Sequence, residues 1–249
     1  DDPDQTVPAI SARLTEVSDI AVDGQYRVYI AGGTGGGMVY RVGKVGQNPD
    51  NGYIYPIGGG GTTRVDINAS RDPRDCDLGT IVSIAVRHQS DGFGQGTLGI
   101  GGEYLGTEMY IACKMELPGG DTKYVVHRIF DLNSSDGFLN IVNIAGGGRD
   151  PNPTILPTQN PDVNGSDAIE CYLENIDDIT VDHNGTVYIA DNQKTVVRKL
   201  SGNVLTTVAG VTSGGGSGDD TAPFDGNATR KRIGAVSLAM DYSDPVMWD

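Results

Sequence analysis

Positive charge is scarce in this sequence. Lys and Arg number 18 against 33 Asp and Glu, giving a formal net charge of -15 at pH 7. That balance excludes the basic face of a nucleic-acid binder and argues against docking on anionic membranes. Long apolar runs are missing too: nothing approaches the ~20 residues of a membrane span, so no direct membrane insertion is expected. Histidine is confined to His88, His127 and His183, with no His-x-His pair to set up a zinc site. The cysteines are Cys76, Cys113 and Cys171. An odd count allows at most one internal disulfide and leaves one sulfur over. No window carries a helical apolar stripe; apolar residues come in short β-branched and aromatic runs between Gly, Asp, Asn and Pro. The chain opens at Asp1-Asp2-Pro3-Asp4 without an initiator Met or a signal-peptide pattern, and is read as a processed product or an excerpt.

What is abundant is glycine, 37 residues, about twice the usual ~7% share, and repetition. Ser18-Asp19-Ile20-Ala21-Val22-Asp23 leads to Val28-Tyr29-Ile30-Ala31. Val82-Ser83-Ile84-Ala85-Val86 leads to Met109-Tyr110-Ile111-Ala112, and Asp177-Asp178-Ile179-Thr180-Val181-Asp182 to Val187-Tyr188-Ile189-Ala190. A fourth copy, Val236-Ser237-Leu238-Ala239-Met240-Asp241, stops before its second strand. Each unit reads as four strands: the Ile-Ala-Val run, the Tyr-Ile-Ala run, an Arg-bearing strand with Arg41, Arg128 or Arg198, and a strand ending at Gly58, Gly146 or Gly210. Leu14, Leu78 and Leu173 stand six residues before the aligned Ile, where they are expected to pack between units. Gly58 to Gly61, Gly146 to Gly148 and Gly214 to Gly216 follow the fourth strands, where the crossing to the next unit needs positive φ. Four short strands per unit with glycine-rich links predict an all-β propeller, residues 1–249 forming one partial ring. Blades are expected over about 12–61, 76–148 and 171–210, with a fourth beginning at about 230–249. Three and a half blades fall short of the smallest rings, so the chain is expected to be a segment, its ring completed by further blades of the same protein or by another copy.

The string from Asp178 to Asp191, with the Asn184-Gly185 hairpin, then Val197-Arg198-Lys199 and Thr206-Thr207-Val208-Ala209-Gly210, resembles an NHL repeat. The match is strongest in the third unit. The second departs from it, with Arg87 and Cys113 where the pattern has Asp. The resemblance implies an NHL-type β-propeller and says little about activity, because such folds host many functions. Among its relatives, the extracellular glycoprotein type implies a non-catalytic structural or adhesion module of a larger secreted or filament-forming protein. Its partners would be other subunits, reached through the long loops Arg87 to Glu108 and Gly147 to Glu170. The alternative is a propeller-type lyase or hydrolase with a metal at the channel mouth, for which clustered His or Glu on equivalent loops are wanting. A second alternative, an intracellular interaction propeller, would be favoured by three free thiols and no glycan.

Five Asn-x-Ser/Thr sequons, at Asn68, Asn133, Asn164, Asn184 and Asn227, are candidate sites for N-linked glycans and favour an extracellular location. Asn184 is equally explained as a hairpin turn residue. Cys76 and Cys171 occupy equivalent places in successive units, separated by more than the ~7 Å that a bridge allows. Cys113–Cys171 is the expected disulfide, with Cys76 left over or pairing with Cys113 instead. No histidine falls near a cysteine in sequence or repeat register, so thiol catalysis is not expected, and no catalytic residue or metal ligand is assigned. Gly94-x-Gly96-x-x-Gly99 matches a dinucleotide fingerprint only as a string, since it leads into a strand and not a helix. Asp162-x-Asn164-Gly165-x-Asp167 and Gly218-Asp219-Asp220 are oxygen-rich enough for Ca²⁺, but their spacing suits ordinary turns, and no cofactor is expected. The arginines of the third strands are expected to pair with acidic neighbours.

Overall fold

The computed structural model describes residues 7–23, 27–33, 37–42, 52–65, 71–87, 107–116, 120, 122–130, 132, 139–148, 165–210 and 237–240. Among these the fold is all-β, in three antiparallel sheets. The first holds β1 (Val7–Pro8), β2 (Val17–Val22), β3 (Val28–Gly32), β4 (Met38–Val42) and β5 (Tyr53–Gly59) in the order β1-β5-β4-β3-β2. The second is a meander of β6 (Thr80–Val86), β7 (Met109–Glu116), β8 (Thr122–Phe130) and β9 (Asn140–Gly146). The third holds β10 (Ser166–Asp167), β11 (Ile176–Val181), β12 (Val187–Asp191), β13 (Val196–Ser201) and β14 (Val204–Gly210), with β10 on the outer edge beside β14.

The repetition extends to irregularities. The first and second strands of each unit slip register at the same place, between Val17/Asp19, Ile81/Ser83 and Ile176/Asp178. The third and fourth strands slip between Val39/Tyr40, Val126/His127 and Val197/Arg198. Bulges placed this consistently twist every sheet alike. Each unit also starts earlier than its sequence pattern suggests. Val7 pairs with Ile54, Arg71 with Ile141 and Ser166 with Leu205, each contact lying ahead of the expected starts at 12, 76 and 171. The chain tacks itself to the outer edge of its own sheet before crossing to the inner strand.

Side chains alternate along each strand, and the second sheet spends both faces on burial. On β7, Met109, Ile111, Cys113 and Met115 join Ile84, Val86 and Leu78 in a core against the first sheet. The intervening Tyr110 and Ala112 join Ile176, Ile179 and Val181 in a core against the third. Leu78 and Leu173 are sealed in these two cores, as their position before the inner strand predicts, each fully buried aliphatic contributing about 1.5–3 kcal/mol. The described sheets form an open series: they do not close on one another.

Candidate functional site

Ionisable side chains gather where the first two strands of the first and of the second unit meet, and the register explains their grouping. Tyr29 stands opposite Arg41, and Tyr110 opposite Arg128. In the first unit the Tyr29 hydroxyl donates to Asp23 Oδ2 at 3.0 Å. Arg27 pairs with the same carboxylate oxygen and reaches the next unit to donate to Thr107 Oγ1 at 2.9 Å. The second unit reverses the signs. Arg87 stands in the place of Asp23 and Glu108 in that of Arg27, yet the Tyr110 hydroxyl again donates to the carboxylate, Glu108 Oε2, at 2.9 Å. Arg87 Nη1 lies 3.2 Å from that oxygen, and its Nε donates to the His183 carbonyl of the third unit at 2.9 Å. Both clusters thus bind one carboxylate, one tyrosine and one arginine, and both hand a guanidinium to the following unit. Burial, with the carboxylate second for Tyr110, pushes both hydroxyls up from the usual tyrosine range, so they act as donors.

Around the second cluster lies a cleft of about 230 Å³ bounded by Arg87, Glu108, Tyr110, Arg128, Asn184 and Gly185. Arg128 lies 3.8 Å from Glu108 and places its guanidinium over the Phe130 ring at 5.3 Å. The arrangement can hold and orient polar groups. Its carboxylate is engaged by two arginines and a hydroxyl, which suits it to bonding between units more than to proton transfer.

The three third-strand arginines do not occupy one register. Arg41 faces Tyr29 and donates to the Leu132 carbonyl at 3.3 Å, and Arg128 is its counterpart. Arg198 lies opposite Ile189, where the second unit has His127 opposite Ile111. One residue of offset turns it to the other face, where its Nε donates to Asp191 Oδ2 at 2.7 Å, both groups buried. Pairing with an acidic neighbour holds for Arg128 and Arg198, though by two different geometries.

The same offset places a histidine beside a cysteine, which repeat alignment of the arginines concealed. Cys113 takes the place of Asp191 and His127 that of Arg198, diagonal neighbours on the face toward the first sheet. Burial holds the His127 imidazole well down, at about 3, and neither ring nitrogen has a partner among the described residues. Burial pushes the Cys113 thiol far up, so the pair is neutral and unreactive. The expected Cys113–Cys171 disulfide is not formed. Cys113 points into the core shared with the first sheet, along with Cys76, and Cys171 into the core shared with the third. All three are buried thiols, with Cys76 and Cys171 raised by burial to about 11.

Of the sequons, Asn184 is exposed in the turn between β11 and β12, its N–H donating to Asp182 Oδ1 at 2.9 Å. Asn68, Asn133, Asn164 and Asn227 lie outside the described residues, as do His88, the Gly94–Gly99 string and Gly218-Asp219-Asp220. Asp167, from the first oxygen-rich loop, accepts the Ile169 N–H at 3.2 Å as a turn residue does.

No family model matches the sequence, and neither does any curated protein. Among solved structures, an auxiliary nutrient binding protein from Bacteroides ovatus aligns over 79% of this chain at 13% identity and a TM-score of 0.27. The chain spans 58% of that protein's length.

Proposed function

We propose that the chain is a segment of an NHL-type β-propeller serving as a non-catalytic structural or adhesion module of a larger extracellular glycoprotein. One observation supports this reading above others: the recurring charged side chains are spent on holding units together. Arg27 reaches Thr107 and Arg87 reaches His183, each in the following unit, while Arg198 is sealed against Asp191 inside its own sheet. A rigid series of sheets then carries its partners on the connecting loops. Glycans on the sequons would cover the remaining surface. The test is peptide mapping of native material, with at least one sequon expected to carry an N-linked glycan; five unmodified sequons would remove the reading.

The three buried thiols favour a second reading, an intracellular interaction propeller, because disulfides mark oxidising compartments. The same mapping separates the two: glycan present supports the first, glycan absent with three titratable thiols after denaturation supports the second.

A further inference from the structure

The inner strands of successive units are joined by one repeated bond. The residue before the aligned Ile accepts, through its side chain, the backbone N–H at the aligned position of the next unit. Asp19 Oδ2 accepts from Ile84 at 2.8 Å, Ser83 Oγ from Ile179 at 3.2 Å, and Asp178 Oδ2 from Leu238 at 2.6 Å. Each junction also has a polarity. The Ile and Val of an inner strand point back to the preceding unit, as Ile84 and Val86 do in the core with the first sheet and Ile179 and Val181 in the core with the second. The Ser or Asp, followed two residues later by a small residue, points forward.

At the two ends of the series the halves of this junction stand open. Ile20 is 57% exposed where Ile84 and Ile179 are 4% and 3%, and Val22 is 44% exposed where Val86 and Val181 are 5% and 0%. Leu14 and Val17, whose counterparts are sealed, are exposed on the same unit. Ser237 and Ala239 are exposed at the other end. The types match an existing junction residue by residue. Ser237-Leu238-Ala239 repeats Ser83-Ile84-Ala85, and Asp19-Ile20 repeats Asp178-Ile179. Between the second and third units, Ile179 N–H is shared by its own Asp178 Oδ1 at 2.8 Å and Ser83 Oγ, and Ser83 Oγ donates to Asp178 Oδ1 at 2.7 Å. Ile20 N–H already holds its own Asp19 Oδ1 at 2.8 Å.

We propose that the open face of β2 receives the Ser237–Met240 segment of a second copy of this chain, with Ser237 Oγ accepting from Ile20 N–H and donating to Asp19. The contact is continuous with the junctions inside the chain, and it is head-to-tail; as proposed, two copies each use it once in either direction and so close as a pair instead of running on as a filament. The inference rests on the repeat-module reading but not on the extracellular one, so a glycosylated monomer would overturn only the present proposal.

Sedimentation equilibrium of the full 249-residue chain tests it, with circular dichroism to confirm folding. The wild type is expected to associate into dimers. Ile20→Lys and Ala239→Lys are each expected to weaken association by more than about tenfold, since each puts a charge into an apolar junction. Mixing the two variants is expected to restore dimers, because one intact junction forms per pair. A folded wild type that stays monomeric, whether closed on itself or open, overturns the proposal. So does dissociation by Ile20→Lys with no effect from Ala239→Lys, which would mean that two β2 faces meet each other.

Discussion

The Arg198 guanidinium donates to the Asp191 carboxylate at 2.7 Å with both side chains sealed from solvent, and the same two places hold His127 and Cys113 in the second sheet and Tyr40 and Gly32 in the first. One diagonal pair of positions thus carries an ion pair, a neutral polar pair, and a tyrosine with a glycine. The ion pair has further partners, since Arg198 also donates to Thr207 Oγ1 at 3.2 Å and Asp191 Oδ1 accepts the Lys194 N–H at 3.2 Å, whereas neither ring nitrogen of His127 has one among the described residues.

Breaking that pair from one side leaves a buried charge without its partner. Asp191→Ala is expected to cost about 3–5 kcal/mol, while the double change Asp191→Leu with Arg198→Met is expected to lie near neutral. Urea unfolding reads both, as a midpoint shift with an unchanged slope. A single variant no worse than the double one would mean that the pair contributes nothing specific.

His127 predicts an acid sensitivity with a defined direction. Its imidazole is held at about 3 in the folded chain, chiefly by burial and next by the charge of Lys123, against an ordinary 6.5. Between those values the unfolded chain binds a proton that the folded chain refuses. Stability from this group is therefore present above pH 6.5 and is lost as pH falls toward 3. At pH 5 the loss is about 2 kcal/mol, from 1.36 kcal/mol per unit. Denaturant titrations from pH 8 to 4.5 should show a steeper decline for wild type than for His127→Leu. Parallel declines would sink the assignment.

The sequence made the repeat, its four strands and its inter-unit leucines legible because strand periodicity and glycine punctuation are local signals. It could not fix the face on which a third-strand residue sits. The register slips beside Tyr40, His127 and Arg198 put their extra residue on the fourth strand at the same place in every unit, so the third strands alternate without a break; it was aligning Arg198 with Arg128 by type that hid the kinship of Arg198 with His127. The disulfide expectation failed for a related reason. Cys113 and Cys171 are close in the unit pattern, but the sheet carrying Cys113 lies between them, and alternation along β7 points that thiol away. The exchange of signs between Asp23/Arg27 and Arg87/Glu108 was half visible: Arg87 in an Asp position was the signal, and Glu108 answered it across the strand pair.

Ser83 ties the second and third units, and its hydroxyl does two things at once. It donates to Asp178 Oδ1 at 2.7 Å and accepts the Ile179 N–H at 3.2 Å. Ser83→Ala leaves the carboxylate short of a donor and is expected to cost about 1–3 kcal/mol. Ser83→Asp supplies the acceptor found at Asp19 and Asp178 but sets two carboxylates against each other. It is expected to be worse than Ala at pH 7 and to recover toward it on acidification. Thermal unfolding of the two variants at pH 7 and pH 5 decides. Ser83→Asp equal to wild type at pH 7 would show that the hydroxyl's donor role is dispensable.

Gly59 closes the fourth strand of the first unit at φ +85°, as Gly146 and Gly210 do in theirs at +67° and +89°. A Cβ at Gly59 would lie 1.8 Å from the Gly37 carbonyl oxygen and 2.8 Å from its carbon, so backbone, not a yielding side chain, stands in the way. Gly59→Ala therefore combines a disfavoured conformation with a clash that the crossing to the second unit cannot relieve. It is expected to prevent folding of the first sheet, seen as lost β circular dichroism and no cooperative melt. Gly52 is the control. It has φ +67° and nothing within 4 Å of an added Cβ, so Gly52→Ala is expected to cost only the conformational penalty of about 1–2 kcal/mol. Equal effects at the two positions would mean that φ alone, and not the approach of Gly37, fixes glycine at the end of the fourth strand.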